Sequence, residues 1–475
     1  MSEQNTPAST SPMKRKLRLW EVTALSVGFM GPVMAIALNG IGVAGLVGKA
    51  VPLTFLVAFI GTLFVGYAFI RLTGKFSHAG SVYALAGRTI GPKAGFFGGF
   101  ALLGTYLFFA ACILGAAGVF FDGFMQLIVP GFKFNFEIVV IVVVSVLVLL
   151  LCLRESRVVT RLLTLVGAVG ILAMLILAVV VLWKVQQGSG PVENVSFDFS
   201  TFMPENLDLV GILTGSVFAF LSWAGFESGT SLSEETENPK RTIPRALFGA
   251  ITLAGLLYVF MMYVQTVGFG ADDAGIQQFA TSSSALNELS AMYIGKGFAI
   301  LIALIAFIVA MGAATSSTMA AARLIYALAR DGFGPASLGT LNPKTSVPTR
   351  AVIWTCINAF VLAAIVFLTG HSSLEIYFWY AFIATLCMIV AYAVTSIGAI
   401  KFILSNKDLP QWELIFPVLG LLYLVIVFLV QIIGQEAPYA YLAYLSGLWC
   451  IAGAIIIICL PGLVKKIGAN LTEEV

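Results

Sequence analysis

The chain has 475 residues, of which 59% are apolar and only 10% charged, and its formal net charge is +3. A water-soluble protein of that length would wrap several domains in charged surface, and a nucleic-acid binder would need a basic stripe that this chain lacks. The charges instead form short clusters between long apolar runs, the pattern of a protein whose solvent is lipid.

Taken in chain order, residues 1–19 begin with a stretch rich in Ser, Thr, Pro and Gln and end in the basic cluster Lys14, Arg15, Lys16 and Arg18, which reads as a disordered cytoplasmic tail. The apolar run from Trp20 to Leu46 is too long for the core of a secretory signal and is expected to stay as a membrane helix. Pro52 to Leu72, Ala94 to Phe121, Phe136 to Leu153 and Val158 to Lys184 complete a first block, residues 20–184. After an outer loop, 185–208, a second block over 209–404 holds Leu209 to Leu232, Pro244 to Phe269, Lys296 to Leu328, Arg350 to Leu368 and Leu374 to Phe402. Trp412 to Ile433 and Tyr439 to Val464 fill 405–464, and 465–475 reads as a second cytoplasmic tail. Each run suffices to cross about 30 Å of hydrocarbon at about 1.5 Å per residue. The expected fold class is therefore an all-α polytopic membrane protein with 12 transmembrane helices.

With the amino terminus in the cytoplasm, all of the 26 Lys and Arg fall on the cytoplasmic side except Lys49, Lys133, Lys184 and Lys296. A plasma or inner membrane location with both termini cytoplasmic follows. Arg71 to Lys93, with His78, Gly80, Tyr83 and Arg88, reads as an amphipathic cytoplasmic helix. Gln186 to Asp208, with Glu193, Asp198, Glu205 and Asp208, reads as an acidic outer loop, and Gly270 to Gly295 as short helices capping an outer vestibule. Cys112, Cys152, Cys356, Cys387, Cys450 and Cys459 show neither metal-ligand spacing nor a disulfide pattern and read as small buried hydrophobes.

Two interruptions inside spans carry the functional information, because unwound backbone at membrane depth persists only where it is buried or lines a cavity. The first span contains Gly28-Phe29-Met30-Gly31-Pro32, and the sixth contains Ser222-Trp223-Ala224-Gly225-Phe226-Glu227, with a deeply placed carboxylate beside a glycine. They occupy corresponding positions in two blocks of five helices, which points to an inverted repeat with a solute site between the breaks.

The segment Phe220 to Leu247, F-L-S-W-A-G-F-E-S-G-T-S-L-S-E-E-T-E-N-P-K-R-T-I-P-R-A-L, resembles the sixth helix and following loop of the amino acid–polyamine–organocation transporters. Ala79-Gly80-Ser81-Val82-Tyr83 with Gly91-Pro92, and Arg323-Leu324-Ile325-Tyr326-Ala327-Leu328-Ala329-Arg330-Asp331-Gly332, are similar to other stretches of that family. The resemblance implies the leucine-transporter fold, a 5+5 inverted repeat with broken helices 1 and 6 plus two extra helices, and alternating access of an amino acid or amine.

The resemblance also implies that a substrate carboxylate meets free backbone N–H groups where the outer half of the first helix begins, since positive helix ends hold anions. The family's usual Gly-Ser-Gly-like triplet is Gly31-Pro32-Val33 here, which removes one donor and leaves Val33 and Met34; a plain proline kink is the alternative. By resemblance Glu227 braces unwound backbone; a proton-linked gate and contact with a substrate ammonium are the other roles open to a mid-membrane carboxylate. Trp223 and Phe226 would close over the substrate, and Tyr106 would reach it through its hydroxyl, unless these are packing residues. Gly28, Gly31, Ala224 and Gly225 leave room, while Phe29 and Met30 make part of the pocket apolar.

Gly312-Ala313-Ala314-Thr315-Ser316-Ser317 resembles the cluster that completes a sodium site in sodium-driven relatives, with Thr315 and Ser316 as oxygen ligands. Some proton-coupled members place a lysine on the fifth helix nearby; Gly170 stands at that place here. Sodium coupling, proton coupling and obligatory exchange all remain open. Glu227 as the sole deep acidic group favours a neutral amino acid over a polyamine. His78 and His371 lie near loops with no nucleophile or carboxylate partner in any motif, so the chain is not expected to be an enzyme. A channel or receptor differs from a carrier in lacking saturable counterflow.

Overall fold

The computed structural model describes residues 17–473 except 77–80, 130, 132–136, 155, 193–194, 205–208, 234, 407–408 and 434. Most of the amino-terminal tail, with Lys14, Arg15 and Lys16, and also His78, Gly80, Glu193, Glu205 and Asp208 lie outside the described residues.

The described residues form α1 (Leu19–Met30), α2 (Pro32–Val47), α3 (Val51–Thr73), α4 (Val82–Thr89), α5 (Pro92–Ile128), α6 (Glu137–Cys152), α7 (Ser156–Gln186) and α8 (Leu209–Leu221). A 3₁₀ segment, Phe226–Leu232, leads to α9 (Pro239–Phe269), α10 (Asp273–Thr281), α11 (Ala285–Tyr293), α12 (Lys296–Arg330) and α13 (Thr349–Leu368). The chain continues with α14 (Ser373–Ser405), α15 (Ile415–Ile432), α16 (Tyr439–Cys459) and α17 (Pro461–Glu473). Among the described residues ten stretches are long and apolar enough to cross a membrane. One of them, Leu19–Thr73, holds both the first and second expected spans, and α6, expected as the fourth, is a shorter apolar helix.

Local sequence sets the helix ends. Asn238 adopts the left-handed conformation and Pro239 takes the first turn of α9, where its missing N–H removes no intrahelical bond. Ser372 and Glu375 make reciprocal side-chain bonds to backbone N–H groups at the start of α14. The long helices then pack around a core in which α5 and α14 lie against each other and α12 lies on α5. Outside that core Leu165, Leu172, Leu253, Leu256 and Ile458 stand exposed, the hydrocarbon face expected where lipid replaces water.

Two stretches expected outside the spans pack onto the core. The segment read as an amphipathic cytoplasmic helix contains α4, whose Val82, Tyr83, Ala84, Leu85, Ala86, Gly87 and Thr89 are all buried, because α4 is wedged against α5, α14 and α17. The Tyr83 hydroxyl donates to Asp331 at 2.6 Å, so this buried polar atom is satisfied inside. The stretch read as a tail from residue 465 is helical as far as Glu473, the end of α17, whose Val464 and Ile467 are buried and whose Lys466 approaches Gly332. The two short helices expected in the 270–295 connection are α10 and α11, packed on α2 and α9.

Candidate functional site

Both interruptions are present and touch. Gly31 sits between α1 and α2 in the left-handed region, φ 56° and ψ 63°, and its N–H still closes α1 on the Val27 carbonyl at 3.1 Å. Pro32 is the first residue of α2, and the Gly31 carbonyl accepts from Ala35 at 2.9 Å. The N–H groups of Val33 and Met34 therefore precede the first bond of α2, and the carbonyl end of α1 faces the amide end of α2 across one residue.

The second interruption replaces helix by turns over residues 222–225, with Gly225 at φ 84°, before the 3₁₀ segment. The two broken stretches are joined by the Gly229 N–H, which donates to Ser26 Oγ on α1 at 3.2 Å. Phe29 crosses from the first break and lies directly on Gly225, stacked on Phe109 with ring centroids 5.3 Å apart and tilted against Tyr106 at 5.5 Å. The space left by the absent Cβ of Gly225, one of the four small residues expected to leave room, is taken by the Phe29 ring.

Glu227 is fully buried, and its two oxygens each accept a phenol: Tyr106 donates to Oε1 at 2.8 Å from α5, and Tyr392 donates to Oε2 from α14. The Tyr106 hydroxyl, expected to reach the substrate, is here donated to the carboxylate. Tyr392 was not expected; Ile389-Val390-Ala391-Tyr392-Ala393 reads as plain membrane helix and carries no local signal. Phe226 packs edge-on to Tyr392 and Phe69, 5.3 Å and 5.4 Å between centroids. Trp223 lies among Phe59, Phe55 and Tyr258 and donates to the Ile251 carbonyl at 3.4 Å. Its described ring contacts are thus with α3 and α9 rather than with the first break. Ala224 is buried beside it, and Met30 is buried at the end of α1.

A second buried network lies one helical stretch further along. Asn39 on α2 donates to Ser222 Oγ at 2.8 Å and accepts from the Tyr377 hydroxyl of α14 at 2.7 Å, while Tyr258 donates to the Ser222 carbonyl at 2.9 Å. A buried amide within an otherwise apolar span was the available clue. At the opposite end Leu17 pairs with residues 235–237, accepting from Glu237 at 2.9 Å and donating to Glu235 at 3.0 Å, and Glu235 pairs with Arg323 of α12 at 3.0 Å. The E-E-T-E-N-P motif therefore ties the start of α1 to α12; its Glu234 lies outside the described residues.

The hydroxyls expected to hold a cation divide. Thr315 Oγ1 donates to the Met311 carbonyl at 2.8 Å and Ser317 Oγ to the Ala314 carbonyl at 3.1 Å, whereas Ser316 Oγ is buried without a hydrogen-bond partner among the described residues and faces Gly28. At Gly170 a Cβ would lie 2.6 Å from Val33 Cγ2 and 3.0 Å from Ile305 Cγ2, so α7 meets the first break with no space for a side chain. Among the described residues no group of three or more His, Cys, Asp and Glu side chains stands ready for a metal. A crevice of about 700 Å³ runs beside α1, bounded by α7, α9 and α12, from Arg18 and Trp20 to Gly28 and Pro32.

The amino acid permease family model matches residues 21–467. The low-affinity putrescine importer PlaP of Escherichia coli (strain K12) is 27% identical over 369 residues, covering 77% of this chain and 78% of that protein. The branched-chain amino acid permease BcaP of Lactococcus lactis subsp. cremoris (strain MG1363) is 26% identical over 412 residues, 82% of each chain. The vacuolar cationic amino acid transporter 4 of Arabidopsis thaliana is 26% identical over 382 residues, 74% of this chain and 58% of that protein.

Proposed function

The chain belongs to the amino acid permease family, and from that premise we propose that it carries a small neutral amino acid across the cytoplasmic membrane by alternating access, as a secondary active permease rather than an enzyme. The observation that carries the choice of solute is the state of Glu227. Both of its oxygens already accept a tyrosine hydroxyl, so it serves as an internal brace between the 3₁₀ segment, α5 and α14. A polyamine needs a counter-charge for each end in a low-dielectric site, and this carboxylate is already engaged. A zwitterion needs a partner for its carboxylate, and the Val33 and Met34 N–H groups at the start of α2 supply one.

Alternating access on this reading has the Asn39–Ser222–Tyr377 network as its outer closure and the Glu235–Arg323 pair with the Leu17 backbone bonds as its inner closure, both termini facing the cytoplasm. The twelve-span count, the five-plus-five repeat and the placement of Gly28 to Met34 against Trp223 to Phe226 as the substrate region belong to the same proposal. Phe29 fills the junction in this conformation, so substrate entry requires its ring to leave Gly225.

Saturable counterflow of a radiolabelled neutral amino acid in proteoliposomes is the expected result, with unlabelled neutral amino acids competing and their decarboxylated amines and putrescine failing to compete. Putrescine matching the amino acids as a competitor would overturn the choice of solute and favour the polyamine chemistry named for PlaP.

We further propose sodium as the coupling ion, held by Thr315 and Ser316 with carbonyls at the end of α1; bound there, it would supply positive charge that favours the closed break. The partnerless, buried Ser316 hydroxyl is the feature that fits a hard cation. An imposed sodium gradient should accelerate uptake, and Ser316→Ala should raise the sodium concentration for half-maximal uptake by about tenfold, the effect of losing one ligand contact of about 1.4 kcal/mol. Uptake indifferent to sodium would leave proton coupling or exchange.

A further inference from the structure

We infer that the crevice beside α1 binds one acyl chain of an anionic phospholipid, with its phosphate held by Arg18. The crevice holds about 700 Å³, within the range of about 300–1,000 Å³ typical of small-ligand sites. Its lining side chains are hydrocarbon, such as Val27, Ile171, Leu253 and Ile308, apart from Thr23, Thr164 and the Arg18 at its mouth. Beyond Arg18 at the mouth that lining disfavours the transported solute as the occupant, because a zwitterion or amine would give up its hydration there with no counter-ion for its ammonium.

The crevice also opens sideways. Trp20 and Leu253 at its rim are exposed, and they continue into the exposed band of Leu165, Leu172 and Leu256 that lipid tails must cover. A tail from that band is the neighbour with direct access. Arg18 stands exposed where α1 begins, beside Trp20, a residue type that settles at headgroup depth. Its guanidinium, at the positive end of α1, complements a phosphate. The nearby acidic side chain, Glu21, is turned onto the Arg18 backbone N–H at 2.8 Å. The deep end of the crevice touches Gly28 and Pro32, so the chain of the lipid would rest against the hinge of the first break.

The test uses full-length protein stripped of lipid in detergent, titrated with phosphatidylglycerol, with phosphatidylcholine of the same chains, and with soluble glycerol phosphate, with adducts counted by native mass spectrometry. One phosphatidylglycerol should be retained about fivefold more tightly than phosphatidylcholine, the share of a single interfacial arginine, and glycerol phosphate should not displace it. A Cβ on Gly167, in the crevice wall, meets nothing within 4 Å, so the first carbon of Gly167→Phe is accommodated, and the ring placed in the crevice should weaken phosphatidylglycerol binding by about tenfold or more. Arg18→Gln, at an exposed position, should bring phosphatidylglycerol to the level of phosphatidylcholine. Equal retention of the two lipids by the wild type, displacement by glycerol phosphate, or unchanged binding in a folded Gly167→Phe protein would each overturn the assignment.

Discussion

Glu227→Gln should lower the initial rate of uptake into proteoliposomes by about 10- to 100-fold while the yield of folded protein stays close to that of the wild type. The carboxylate accepts from Tyr106 at 2.8 Å and from Tyr392, and bonds of this charge-assisted kind contribute roughly 1.5–3 kcal/mol each. Glutamine keeps the shape and one acceptor, but its NH₂ group confronts a phenol that was a donor, so one of the two tyrosines must turn and find another partner. The bonds join the broken sixth span to α5 and α14, and losing one changes the balance between closed and open arrangements by about tenfold for each 1.4 kcal/mol. Tyr106→Phe and Tyr392→Phe should each give part of the effect, and Tyr392→Phe should leave the ring contacts with Phe69 and Phe226 in place. Measured together, the three variants form cycles whose coupling energy reports the network. Equal losses of yield and rate in Glu227→Gln would reduce the group to a structural brace with no part in the transport cycle.

What could be read in the sequence was what one residue type dictates by itself. Gly31-Pro32 forces a break, since the glycine admits positive φ and the proline ends the bonding of the preceding turn, and the structure has α1 ending and α2 starting there. Glu227 declared its importance through the cost of a carboxylate at depth. The partners were not legible, because Tyr392 lies 165 positions away and looks like any aromatic in an apolar run. The same limit hid the Tyr377–Asn39 bond, 338 positions apart. Trp223 shows the same limit in its direction: an aromatic beside a break suggests a lid, while its ring contacts here, set by the local turn over residues 222–225, are with α3 and α9. The depth at which α4 sits was not legible either, since its burial is decided by its packing on α5 and α14.

The other large effect belongs to Gly225, where Gly225→Ala should abolish measurable uptake and lower the thermal midpoint of the purified protein. Two costs combine. Alanine at φ 84° leaves the region open to L-residues, about 1–2 kcal/mol for the left-handed conformation, and its Cβ would fall within the Phe29 ring. That ring cannot withdraw freely, because it is stacked on Phe109 and tilted on Tyr106, and overpacking a fixed neighbour costs about 1–3 kcal/mol more. Gly31→Ala supplies the comparison: its φ of 56° carries the same backbone strain, but the nearest atom to a Cβ there is the flexible end of Met34 at 3.2 Å, so its loss of stability should be the smaller by roughly the overpacking term. Phe29→Ala added to Gly225→Ala should return that term and restore thermal stability toward the level of Gly31→Ala. Because the double variant also removes the ring that plugs the junction, it separates packing from function: stability regained without uptake places Phe29 in the transport cycle. If Gly225→Ala matched Gly31→Ala in thermal midpoint, the Phe29 contact would not be the constraint that holds the two breaks together.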